Sequence, residues 1–205
     1  MDTTPDWFEL TNLGDSAIDP GTLYYDDSSA DPTDGGQLAG ITTLAAGESA
    51  IYLVSWQDDF PGPNPFPPPF DPADALAAFE SFWNTNGAYQ VGYILDADTA
   101  GGPGLGGGGD TVNIFDGNMM GATLLATRSY PDSSNEFPAD TQGVTWVNDP
   151  ATSSSVHAQL GVAGAFASVG GTQVGSPGFA VPEPGSMLLL LLAVATTAFG
   201  VRWAR

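Results

Sequence analysis

The chain has 205 residues, a length that fits one domain with tails, and 42% of them are hydrophobic, enough for a core. Its 24 acids face three arginines and no lysine, a formal charge of −21, so the basic footprint that nucleic-acid binding needs is missing. The lack of cysteine excludes disulfides, thiolate metal sites and cysteine nucleophiles.

With 27 glycines and 17 prolines, the chain is punctuated for short strands rather than long helices. The opening "DWFELTNLGDSAID" is an alternating strand, a Gly-Asp turn and a short return through Ala17 and Ile18. Its period of two puts Trp7, Glu9 and Thr11 on one side and Phe8, Leu10 and Asn12 on the other. A β-prone stretch, Leu23–Tyr25, ends in acids, and "SSADPTDGGQ" is turn chemistry throughout. After a turn at Gly47, Ala50–Ser55 reads as a core strand. "FPGPNPFPPPFDP" (60–72) holds seven prolines in thirteen residues, which excludes a central strand and a helix interior and leaves an extended surface loop.

One helix is predicted next. Asp71 caps it, Pro72 takes the first helical position, and Leu76, Phe79, Phe82 and Trp83 recur at helical spacing before "NTNG" stops it. Strands resume with "AYQVGYIL" (88–95). "TVNIFD" and "ATLLATRSY" then form a hairpin around Asp116–Gly121, and "GVTWVND" is a further short strand. Residues 150–180 are sparse in apolar side chains and read as loose coil. Many short strands and one helix predict a mainly β protein built as a β-sandwich.

Chemical motifs are few. His157 is the single histidine, in "SSSVHAQ", and reads as a surface side chain, because adjacent serines do not make a triad. The glycine run 101–109 lacks the lysine and the following helix that phosphate cradling needs. Paired carboxylates allow a secreted carboxylate-dependent hydrolase as an alternative, since glycoside cleavage uses two acids at a set separation. Calcium is the other chemical option, because hard oxygen ligands suit it and weak sites serve outside the cell. Candidates are Asp96, Asp98 and Asp110 around the glycine run, and Asp26, Asp27, Asp31 and Asp34 in the early loop, none in an EF-hand pattern. A permanently membrane-tethered calcium-binding adhesion module is therefore a further alternative, and a plain solvated acidic surface competes with it.

The C-terminus carries the sharpest signal. Gly185–Val201 is seventeen residues without a charge, including five consecutive leucines, followed by Arg202 and Arg205. As a helix it spans about 26 Å, close to the ~30 Å hydrocarbon thickness. The arginines place their end in the cytoplasm and residues 1–184 outside. Upstream of Pro182 there are 23 acids and one base, Arg128, which matches that division. Val181, Pro182, Glu183 and Pro184 stand immediately before the apolar run. Motif, run and terminal arginines together resemble the PEP-CTERM sorting signal of bacterial exported proteins. The resemblance implies a membrane-bound exosortase as processing partner and the cell surface or extracellular matrix as destination.

Residues 6–148 resemble the lamin-tail-like domain, through "DWFELTNLGDSAIDPGTLYYDD", "LAAGESAIYLV", "FESFW", "GDTVNIFD" and "LLATRSYP" in that order. The resemblance implies a compact immunoglobulin-like β-sandwich used for binding or scaffolding, with no catalytic residues to carry over and no cofactor. The expected organisation is then 1–148 as the sandwich, 149–180 as its Ser/Gly/Ala-rich tail and spacer, and 181–205 as the sorting signal with a single transmembrane helix. Family domains begin with a strand before the aromatic-Glu-Leu segment, so a first strand and a signal peptide are expected upstream of Met1. The expected role is non-enzymatic, with extracellular polysaccharide or another surface protein as ligand.

Overall fold

The computed structural model describes residues 6–54, 71–95, 105, 109–130, 145–149, 154–162 and 164–178. The fold is mainly β, with one short helix. Its strands are β1 (Asp6–Thr11), β2 (Tyr24–Asp26), β3 (Gly36–Ala39), β4 (Ser49–Val54), β5 (Gln90–Leu95), β6 (Asp110–Phe115), β7 (Leu124–Tyr130), β8 (Trp146–Asp149), β9 (Ser154–His157), β10 (Phe166–Ala167) and β11 (Val174–Gly175). The helix α1 is Pro72–Trp83. The first seven strands form one sheet in the order β1-β4-β5-β3-β2-β6-β7.

All neighbours in that sheet are antiparallel except β4 and β5. That parallel pair is joined through α1, because parallel neighbours need a long crossover. The helix starts where the sequence places it. The Asp71 carboxylate accepts from the Ala73 amide at 2.9 Å with Pro72 behind it, and Asn84 ends the helix in the left-handed region at φ 54°.

The sheet is curled, and β4 has apolar side chains on both of its faces. Ala50, Tyr52 and Val54 point inward to a cluster with Phe8, Tyr25, Leu38, Leu44 and Ile114. Ile51 and Leu53 point outward to Ala75, Phe79 and Trp83 of α1. Curling brings the edge strand β1 over β2: Phe8 stacks on its neighbour Tyr52 at 5.7 Å and on Tyr25 across the fold at 5.2 Å. The result is sandwich-like, two layers made from one sheet.

The alternation predicted for residues 7–12 holds. Phe8 and Leu10 face the inner cluster and Trp7 packs on the helix side, edge-on to Phe79 and Trp83. Two differences stand out. β3 begins inside the stretch 28–37 that reads as turn chemistry, because Gly36 gives the room: a Cβ there would meet the Ile94 side chain at 2.2 Å. Residues 154–178, read as loose coil, instead carry β9 and the β10–β11 hairpin. Phe166 lies edge-on to Trp83 at 5.7 Å, and the Val169 amide donates to the Phe82 carbonyl. Packing against the helix supplies the apolar contact that the local sequence lacks.

The sheet has two distinct ends. At one lie Asp6, Val54, Leu95, Gly36, Asp26, Asp110 and Tyr130, and at the other Thr11, Ser49, Gln90, Phe115 and Leu124. Among the described residues no helix is long and apolar enough to cross a membrane. The predicted span Gly185–Val201, with Val181, Pro182, Glu183, Pro184, Arg202 and Arg205, lies outside the described residues, as do Asp96, Asp98 and the proline-rich stretch 60–70.

Candidate functional site

The strongest polar constellation lies at the second end, on the helix side of the sheet. Alternation along β1 puts Glu9 on that side between Trp7 and Thr11, and register sets Glu9 opposite Ile51 and Thr11 opposite Ser49. The Thr11 and Ser49 hydroxyls are 2.7 Å apart. Glu9 accepts a hydrogen bond from the Gly178 amide at 2.9 Å, a contact across 169 residues of chain. Burial pushes its carboxyl above the ordinary value of 4.5, and the Gly178 amide and Ser49 hydroxyl only partly offset this.

Next to it, Glu48 is held from two sides. It accepts from the Ala45 amide at 2.8 Å, closing the turn, and from the Gln90 side-chain amide at 2.8 Å. Those two bonds hold its carboxyl below the usual range. Gln90 also donates to the Thr43 carbonyl at 3.1 Å, which ties the start of β5 to the loop before β4. The Tyr89 ring lies against Gly178, so closely that a Cβ at 178 would meet it at 2.2 Å.

Glu48, Ser49, Tyr89 and Gln90 line a shallow cleft of about 370 Å³ bounded by the turns at Gly47 and Gly87 and by Gly178, whose amide Glu9 holds. One carboxylate (Glu48), the Ser49 hydroxyl, the Gln90 amide and the Tyr89 phenol ring face it, with no cation among the lining residues. Such a surface accepts hydrogen bonds from hydroxyl- or amine-bearing groups and repels anions.

Glu9 reads only as the polar member of an alternating strand, and Glu48 as a turn residue. Their meeting depends on β4 and β5 being parallel neighbours and on Gly178 returning to β1, neither of which is local information.

The acids singled out as calcium candidates are placed at the opposite end. Asp110 accepts from the Ser28 amide at 3.0 Å and from its neighbour Thr111 at 2.7 Å. Asp26, buried, accepts from the Ser29 hydroxyl at 2.7 Å and the Asp31 amide at 2.6 Å. Asp27 accepts from the Ser29 amide and Asp31 from the Thr33 amide and hydroxyl. Asp34 closes the same turn through its backbone amide, which donates to the Asp31 carbonyl. The structure therefore brings Asp26, Asp27, Asp31 and Asp110 into one region, but their oxygens organise the loop backbone. Among the described residues no group of three or more His, Asp or Glu side chains converges to hold a metal ion.

His157, read from sequence as a surface side chain, ends β9 opposite Trp146 and is partly exposed.

The fold and its cleft thus define a mainly β protein with a curled seven-stranded sheet and an acidic surface. No family model, curated protein or solved structure matches the chain.

Proposed function

We propose that this is an exported, non-enzymatic module: an acidic β-sandwich of immunoglobulin-like, lamin-tail-like type that binds or organises material at the cell surface or in the extracellular matrix. A C-terminal PEP-CTERM signal delivers it, and an exosortase processes that signal. The observation that carries the reading is the tail itself, in which Val181–Pro184, seventeen uncharged residues and Arg202 with Arg205 follow one another without interruption. Proline disfavours helix and favours extended backbone in the residue before it, the accessible shape a processing enzyme needs at this motif.

The fold supports the reading in one respect. Gly178, three residues before Val181, is held to β1 through Glu9, so a cut at the motif would release the sandwich with its C-terminal hairpins attached. The ligand class proposed is extracellular polysaccharide or another surface protein.

The test is the mature C-terminus, read by mass spectrometry after expression in a bacterium that carries an exosortase. The expected product lacks Arg205, and a Pro182→Ala, Pro184→Ala double variant keeps it. A wild-type product that retains Arg205 in the membrane means a permanent tether instead, and a soluble cytosolic full-length product defeats export altogether.

A further inference from the structure

The two ends of the sheet differ in chemistry as well as in register. Asp6, Asp26, Asp27, Asp31, Asp34 and Asp110 gather at the end where β1 begins and β2 finishes. The opposite end has fewer acids, and three of those are committed to turns. Asp19 accepts from the Gly21 amide, Glu48 from the Ala45 amide and Asp116 from the Thr123 amide.

That opposite end instead displays apolar side chains to water. Leu13 is 74% exposed in the turn after β1, and Met119 and Met120 are 67% and 92% exposed at the tip of the β6–β7 hairpin. Leu124 and Leu125, at the start of β7, are about half exposed. Scattered exposed hydrophobics, such as Leu95 at the acidic end, need no explanation, but five such side chains at the end with fewer acids, where Asp15 and Asp116 are their near neighbours in sequence, mark a contact surface.

Gly178 sits at this same end, in the cleft with the Gly47 and Gly87 turns. Six residues separate it from Gly185, where the uncharged run starts. Fully extended, that tether reaches at most about 25 Å. The headgroup layer takes up roughly 5–8 Å of it. A folded unit with a radius of gyration of about 15 Å cannot turn its far end to the bilayer on so short a leash.

We propose that, while the chain is anchored, the end carrying Leu13, Met119, Met120, Leu124 and Leu125 rests on the lipid surface and the carboxylate end points outward. The inference rests on the reading of Gly185–Val201 as a membrane span. It adds an orientation and a contact surface to that reading. Apolar tips entering the headgroup layer and repulsion of the acids from anionic lipid act in the same direction.

The natural chain has no cysteine, so single-cysteine labelling is unambiguous. The full chain, as Met120→Cys or Thr33→Cys with an environment-sensitive dye, is reconstituted into vesicles of phosphatidylethanolamine and phosphatidylglycerol carrying a shallow spin-labelled lipid. Both sites are exposed, so neither substitution disturbs the core. The label at 120 is expected to be quenched several-fold more than the label at 33. A chain that floats with the vesicles but shows equal quenching at both sites overturns the orientation alone. A chain that does not float overturns the anchoring and the orientation together. Disulfide pairing through position 120 in floated chains, without lipid quenching, assigns the surface to a second copy and overturns the proposal.

Discussion

Three positions concentrate the energetics of this fold at the scale of single residues. Glu9 has a native pKa above its ordinary 4.5 because burial penalises its charge. The folded state therefore binds its proton more tightly than the unfolded chain does. Its contribution to stability is full below pH 4.5 and is lost as pH rises through the raised native value. At neutral pH the charged Glu9 is a liability. Glu9→Gln, which keeps an acceptor for the Gly178 amide, is expected to raise Tm at pH 7 and to leave it unchanged below about pH 4.5. Tm measured across that range checks it, and equal Tm at every pH contradicts it.

Tyr52 is a second case, with its ring fully buried in the Phe8 stack and its hydroxyl without a hydrogen-bond partner among the described residues. Burial pushes the phenol strongly upward. A buried polar atom that makes no bond costs its desolvation, so Tyr52→Phe is expected to leave stability unchanged or raise it by up to ~1 kcal/mol in urea unfolding. Gly92 is the third. A Cβ there would lie 2.5 Å from the Ala39 carbonyl oxygen and 2.8 Å from the Tyr52 ring. Gly92→Ala must push β3 from β5 and is expected to cost about 1–3 kcal/mol.

At the scale of elements, the helix and the C-terminal hairpin are one packing unit. Trp83 touches Trp7 of β1 at 6.0 Å, Phe82 at 5.4 Å and Phe166 of β10 at 5.7 Å, all with edge-on geometry. It therefore joins three parts of the chain, and Trp83→Ala is expected to cost about 3–5 kcal/mol and to loosen 165–178 along with α1. Hydrogen exchange would show protection lost at the Val169 amide, which bonds the Phe82 carbonyl.

This unit also marks where sequence reading succeeds and fails. α1 was legible to the residue, since cap, proline and apolar spacing agree within one segment. β1 was legible by its alternation. β10 and β11 were not, because each is two residues long and owes its conformation to Trp83, over eighty positions away. β3 was hidden for a related reason: its glycine reads as a turn until Ile94 is seen occupying the missing side chain's place. The Glu9–Gly178 bond is the extreme case, a site visible only after the sheet order is known.

For the whole molecule, the dominant fact is unbalanced charge: −21 overall, with the described carboxylates crowded toward one end and Arg128 the one base before the tail. Self-repulsion of this kind opposes compactness and is relieved by screening. Raising sodium chloride from about 10 mM, where the Debye length is ~30 Å, to 0.15 M, where it is ~8 Å, is therefore expected to raise Tm. The same experiment separates the two meanings of the acidic end. The oxygens of Asp26, Asp27, Asp31 and Asp110 already accept backbone N–H groups, which argues for a loop that organises itself and presents its charge to solvent. Magnesium and calcium then act only as screening ions, and at equal concentration they should raise Tm equally. A calcium site takes six to eight flexible oxygen ligands, whereas magnesium demands a tight octahedron and holds its waters. A rise with calcium that magnesium does not reproduce, lost in Asp110→Asn, would therefore turn the acidic end from a repelling face into a specific site.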